Sequence, residues 1–122
     1  SFSEPIPDFS TRFPGRLESC LKTPFQSFAE KDLYHGLLGK ASMLFYLMIK
    51  NHPFQNGNKR IALMTLMVFL AKNNKWLKTT QEDLYDFTMD ITKSAAPDKR
   101  LILKAIEATL AAYIVLFSKK NK

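Results

Sequence analysis

The chain has 122 residues, 46% of them hydrophobic and 24% charged, and a formal net charge of +7. That profile describes one small folded domain over residues 1–122 and excludes a disordered or fibrous chain. The lone Cys20 excludes an internal disulfide or a multi-cysteine zinc site, and no apolar run reaches the roughly 18 residues of a membrane helix.

Taken in chain order, the first 24 residues hold four of the six prolines. They read as an extended lead-in over residues 1–12, a Pro14-Gly15 turn and a short helix from Arg16 to Leu21. The start, SFSEPIPDF, lacks the basic and apolar parts of a signal peptide, so a reducing, cytoplasmic setting is expected. Pro24 to Glu30 carries Phe25 and Phe28 in a loop or hairpin context. From Leu37 the period turns helical: Leu37, Leu38, Ala41, Leu44, Phe45, Met48 and Ile49 make one apolar face. Pro53 disfavours helix at His52, so that helix should end near Lys50 or Asn51.

A polar loop, Gln55-Asn56-Gly57-Asn58, precedes the next helix, with Asn56 or Asn58 as N-cap. Ile61 to Ala71 is apolar except for Thr65, the pattern of a buried central helix ending at Asn73-Asn74. Trp76 and Leu77 then return to the core. Thr79 and Glu82 suit a capping box for a helix from Gln81 to Thr92 that turns Leu84, Phe87 and Ile91 inward. Pro97 suits the first position of a last helix whose stripe runs from Ile102 through Ala105, Ile106, Thr109, Leu110, Tyr113 and Ile114 to Phe117. Residues 118–122 form a basic tail. The fold class is all-α, five or six helices, with a small hairpin near residues 24–29. Met43, Met48, Met64 and Met67 at helical spacing read as core. So do Trp76 and Cys20. Asp83, Asp86 and Asp90 read as a solvated face, and His35 as a helix-start or surface residue.

The chemistry concentrates in the nine residues His52-Pro53-Phe54-Gln55-Asn56-Gly57-Asn58-Lys59-Arg60. Gly57 supports a tight turn of positive φ. The helix that follows opens with backbone N–H groups that have no intrahelical partner and so form an anion site. Lys59 and Arg60 in that first turn have the wrong sign for the helix dipole, at roughly 0.3–1 kcal/mol per charge. A bound anion reverses that cost. Arg60 offers a planar fork for two phosphate oxygens and Lys59 a point charge. His52, on the rim, is the side-chain type that can take a proton from a hydroxyl near neutral pH. Phosphoryl-type transfer asks for an oriented hydroxyl, a base and charge stabilisation. Taken singly, a histidine after a helix is most often a cap, and a Gly-Asn pair is usually just a turn. Their conjunction within nine residues carries the functional reading.

The stretch HPFQNGNKR closely resembles the signature of the Fic/Doc family, H-P-F-x-[DE]-G-N-[GK]-R. RFPGRLESCLKTPF ahead of it resembles the lead-in of the death-on-curing (Doc) type, and the resemblance spans roughly Phe13 to Ile114. It implies a compact helical bundle with a short hairpin flap over the active site. It also implies roles residue by residue: His52 as catalytic base and Pro53 and Phe54 as structural residues. Asn56, Gly57, Asn58, Lys59 and Arg60 would hold the phosphates of ATP, with Lys59 and Arg60 also serving catalysis. The flap would correspond to Thr23, Pro24, Phe25, Gln26, Ser27 and Phe28, holding a target segment as an added strand. Family members with Gly after the motif Asn typically transfer AMP. Doc-type members carry Lys, as here at Lys59, and transfer the γ-phosphate. The resemblance therefore implies a Doc-like bacterial, cytoplasmic protein kinase toxin. Its partners would be a target protein with a Ser, Thr or Tyr hydroxyl, by family analogy a translation factor, and a separate antitoxin.

One position departs from the pattern. Asn56 stands where active members carry Asp or Glu, the residue that would hold Mg²⁺. Magnesium is normally bound through one or two carboxylates plus substrate phosphates, so Asn56 is a weak metal candidate. Weaker Mg²⁺ binding and slower transfer are expected. The inhibitory pattern [ST]-x-x-x-E-[GN] of many members is absent around Glu4, Glu18, Glu30, Glu82 and Glu107. The alternatives are an AMP transferase of the same fold and a nucleotide-binding module with weakened catalysis. A basic excess also favours nucleic acid or anionic lipid, but no recognition motif supports a specific nucleic-acid partner, and no membrane partner is expected.

Overall fold

The computed structural model describes residues 6–28, 31–32, 36–94 and 99–117. His35, Pro97 and the basic tail lie outside the described residues. A 3-10 turn at Phe9–Thr11, capped by Asp8, interrupts the lead-in that the sequence suggested to be extended. Helix α1 (Arg16–Lys22) follows, with Gly15 before it at φ 84°. Next come a 3-10 turn at Thr23–Phe25 and the strands β1 (Ser27–Phe28) and β2 (Lys31–Asp32), paired antiparallel. The hairpin is therefore real but sits later than residues 24–29. Pro24 fixes a helical φ inside the 3-10 turn, so Thr23, Pro24 and Phe25 belong to that turn rather than to a strand.

Helix α2 (Gly36–Lys50) is the centre of the molecule, with Ala41 to Ile49 buried without interruption. Helix α3 (Asn58–Lys72) packs along it, and β3 (Lys75–Leu77), α4 (Gln81–Lys93), α5 (Lys99–Tyr113) and β4 (Ile114–Leu116) complete the chain. The sequence had the two central helices in opposite roles. α2 carries an apolar stripe, yet neighbours enclose it on all faces: α1, α3, α4, α5 and the 3-10 turn at residues 23–25. α3 is apolar all round, yet it buries only Asn58, Ala62, Leu66 and Leu70, and it leaves Met64 39% and Val68 52% exposed. Neighbour packing, not composition, decides which helix is enclosed.

Three further expectations change. α4 is capped by Thr80, whose hydroxyl accepts from the Asp83 N–H at 3.0 Å, one residue along from the Thr79–Glu82 pair. The last helix stops at Tyr113, and Ile114–Leu116 cross to pair antiparallel with Lys75–Leu77. Ile114 and Phe117 are therefore not on the α5 stripe, and three residues per strand are too few to show a period of two. Trp76 is 37% exposed and stacks on Phe117 at 5.1 Å instead of anchoring the core; Leu77 beside it is buried. Leu84, Phe87 and Ile91 face inward as expected, Cys20, Met43 and Met48 are buried, and Asp83, Asp86 and Asp90 are exposed. No helix among the described residues is long and apolar enough to cross a membrane.

Candidate active site

The loop between α2 and α3 is held from two directions. Phe13 N–H donates to the Pro53 carbonyl at 2.7 Å and Gln55 N–H to the Thr11 carbonyl at 3.1 Å, with Arg12 and Phe54 paired as an antiparallel bridge. From the other direction the Asn58 carboxamide closes on Phe54. Its Oδ1 accepts from the Phe54 N–H at 2.9 Å, and its Nδ2 donates to the Phe54 carbonyl at 2.8 Å. Asn58 is 8% exposed and Phe54 5%. Pro53 is also fully buried. Pro53 and Phe54 thus anchor the loop in the core, and the side chain of Asn58 is spent on that anchoring.

Gly57 precedes α3 with φ 75° and ψ 18°, a left-handed conformation that glycine enters without a Cβ penalty. It, rather than Asn56 or Asn58, is the N-cap. Its carbonyl accepts the first helical N–H, from Ile61, at 3.0 Å, so the amides of Asn58, Lys59 and Arg60 have no intrahelical acceptor. α1 and α4 carry acids in their first turns, and α3 carries none. α5 also opens on basic residues, Lys99 and Arg100, so a basic start alone does not make an anion site. At α3 that start also faces a cavity.

That cavity, about 200 Å³, is walled by Ile49, His52, Gln55, Asn56, Gly57, Asn58, Lys59 and Thr92. The structure therefore brings His52, Asn56, Gly57, Asn58 and Lys59 together around one space. Arg60, partly buried in the first turn of α3, is not in that wall. Nor are Thr23, Pro24, Phe25 and Gln26 of the expected flap. Phe25 instead meets Phe69 edge-on at 5.7 Å, beside an apolar groove on α3. His52 has φ 44°, a conformation uncommon for a residue with a Cβ. It costs on the order of 1–3 kcal/mol and persists only where the surroundings enforce it. The bridge to residues 11–13 on one side and the Asn58 lock on the other supply that enforcement.

One wall residue had no local signal. Thr92 arrives from the end of α4. Lys50 brings it there by donating its Nζ to the carbonyls of Ser94 (2.7 Å) and Thr92 (3.5 Å), where the negative end of the α4 dipole receives a cation. Both contacts join residues more than 40 positions apart in the chain.

The chemistry of the wall suits a phosphate and not a protein-held divalent metal. Lys59 and the first-turn amides of α3 offer positive charge and donors. Asn56, Gln55 and Thr92 offer neutral oxygens, and among the described residues no carboxylate is in the wall. Among the described residues no group of three or more His, Cys, Asp or Glu could hold a metal ion. Asn56 alone does not make a magnesium site of the usual carboxylate kind.

The family model of the Fic/DOC family matches residues 2–70, more than half of the chain. No curated protein and no solved structure matches it. The matched stretch runs from the lead-in through the motif loop to Leu70 and stops before α4 and α5. The chain belongs to the Fic/DOC family, and it has that family's all-α bundle with a small hairpin. Proteins of this family are in general transferases that modify other proteins.

Proposed function

We propose that this Fic/DOC family member is a Doc-like protein kinase, moving the γ-phosphate of ATP to a Ser, Thr or Tyr hydroxyl of a target protein. The observation that carries the reading is His52, held at positive φ in the wall of a cavity that it shares with the start of α3 and Lys59. At about 200 Å³, the cavity is smaller than the ~300–1,000 Å³ of a whole small-molecule site. It suits the phosphate end of a nucleotide, with the nucleoside outside it.

In this reading the target hydroxyl gives its proton to a ring nitrogen of His52 as its oxygen attacks the γ-phosphorus. The bond from that phosphorus to the bridging oxygen breaks, and ADP leaves with the electron pair. The α3 amides and Lys59 meet the phosphate oxygens, and Arg60 adds its charge from the next position. Lys59 in place of glycine favours γ-phosphate over AMP transfer. By the same family analogy the protein is a bacterial toxin acting on a translation factor and restrained by a separate antitoxin. Because Asn56 stands in the usual acidic position and the described residues of the wall include no carboxylate, a weakened, nucleotide-binding member is the second reading, with adenylylation the third.

Paired label transfer into a bacterial lysate tests all three, using ATP labelled at the α- or the γ-phosphate with Mg²⁺ and a His52→Ala control. Protein label from γ alone, lost in His52→Ala, is the expected result. Label from α means AMP transfer. No label from either, also with Asn56→Asp, means that transfer has lapsed. Restoration by Asn56→Asp identifies position 56 as the missing metal ligand.

A further inference from the structure

His52 borders a second space besides the phosphate cavity. A cleft of about 600 Å³ opens on it, lined by Pro14, Gly15, Arg16 and Ser19 from α1 and the turn before it and by Lys50 and Asn51 from the end of α2. His52 is the one residue common to the two linings. We infer that this cleft is the acceptor side of the site, and that Arg16 selects target segments carrying an acidic residue close to the hydroxyl that is modified.

The inference rests on the kinase reading above. In an in-line displacement the attacking oxygen and the leaving group lie on opposite sides of the transferred phosphorus. With the phosphates against α3, an acceptor whose proton goes to His52 needs a second space that also borders the histidine, and the cleft is such a space. The lining also argues against the nucleoside as occupant. Among the described residues its one aromatic ring is His52, which the transfer itself uses, whereas nucleotide and other small-molecule pockets are predominantly apolar. It is a wide, polar space of the kind that an extended peptide segment fills.

The charges in the cleft are not equivalent. Lys50 is committed to the carbonyls at the end of α4. Glu18, the nearest acid on α1, is committed to the Gly15 N–H at 3.2 Å and to Arg12 at 3.7 Å. Arg16 is exposed, its guanidinium 4.5 Å from the centre of the Phe13 ring, and among the described residues it has no carboxylate partner. A guanidinium braced on an aromatic face keeps its fork free for a carboxylate. Arg16 is therefore the cleft's available cation, and a carboxylate on the target is its complement.

The test uses the full chain and the protein that it labels. Modified sites are mapped by mass spectrometry, and transfer to the purified target is followed for wild type and Arg16→Glu with both substrates varied. Arg16 is exposed at the first position of its helix, and a glutamate there suits the dipole, so the variant keeps its fold. An acidic residue flanking the mapped hydroxyl is expected. Arg16→Glu should raise KM for the target at least tenfold while kcat and KM for ATP stay within about twofold. Replacing the flanking acid by Lys should damage wild-type transfer and restore transfer by Arg16→Glu. Equal KM for the target, or a mapped site with no acid nearby, overturns the inference and leaves the kinase reading intact. A raised KM for ATP assigns the cleft to the nucleotide and overturns it as well. No transfer by wild type at all overturns the kinase reading, and this inference with it.

Discussion

His52 and Asn58 divide the labour of the motif. The histidine is held in a backbone conformation that most side chains avoid, and the asparagine six positions later is one reason it stays there. Asn58 reads from sequence as a phosphate ligand. In the fold its carboxamide is occupied by both backbone groups of Phe54, and only its amide is free for an anion. Asn58→Ala removes two hydrogen bonds and leaves a buried N–H and a buried carbonyl without partners. The expected loss is about 2–3 kcal/mol of stability, read from the urea midpoint, together with lower transfer. A residue that only touched phosphate would lower transfer and leave the midpoint unchanged.

At the scale of the elements, the site depends on how helices are started and stopped. α3 begins on a left-handed glycine. α4 ends where Lys50 receives its last carbonyls. The turn into α1 is fastened by Glu18, whose carboxyl titrates below its usual value of 4.5. The largest cause is the hydrogen bond from its own backbone N–H; desolvation opposes it, and Arg12 and the Gly15 N–H add to the lowering. A carboxylate with a lowered folded pKa gives stability that is complete above its unfolded value and lost as pH falls through the folded one. Wild type should therefore unfold at a higher temperature than Glu18→Gln above pH 4.5. The difference should shrink to nothing in progressively more acid buffer. A difference that persists in acid would mean that the glutamate acts by packing. Cys20, by contrast, has its thiol pKa pushed up by burial, and it donates to the Leu47 carbonyl at 3.5 Å as a core residue.

Across the whole molecule, α2 is enclosed and α3 is a wall with an open outer face. Leu66 and Val68 stand two positions apart in the same apolar run, yet Leu66 is fully buried and Val68 is 52% exposed. Leu66→Ala should cost about 2–5 kcal/mol, with the larger values if the cavity does not collapse. Val68→Ala should change stability by no more than about 0.5 kcal/mol. Chemical denaturation of the two variants side by side checks the assignment of inner and outer faces. The apolar groove beside Met64, Val68 and Phe25 belongs to that outer face.

The sequence by itself determined what local physics controls. Helical periodicity set α2, Pro53 stopped it, Gly57 marked the left-handed turn, and the motif residues His52, Asn56, Gly57, Asn58 and Lys59 lie together in the wall of one cavity, with Gln55. These signals survive because proline and glycine restrict or free the backbone regardless of neighbours. The Thr80 cap, one residue from the expected pair, and the hairpin, a few residues late, show how far such local rules reach. Only the tertiary structure decided which of two apolar helices is enclosed. It also decided that Trp76 stacks on Phe117 at the surface and that residues 114–116 leave the last helix to pair with 75–77. It brought Thr92 to the site, and it set Arg16 and Asn51 together beside His52. Each of these depends on contacts between distant segments, where burial and pairing outweigh the few tenths of a kcal/mol by which local preference distinguishes one residue from another.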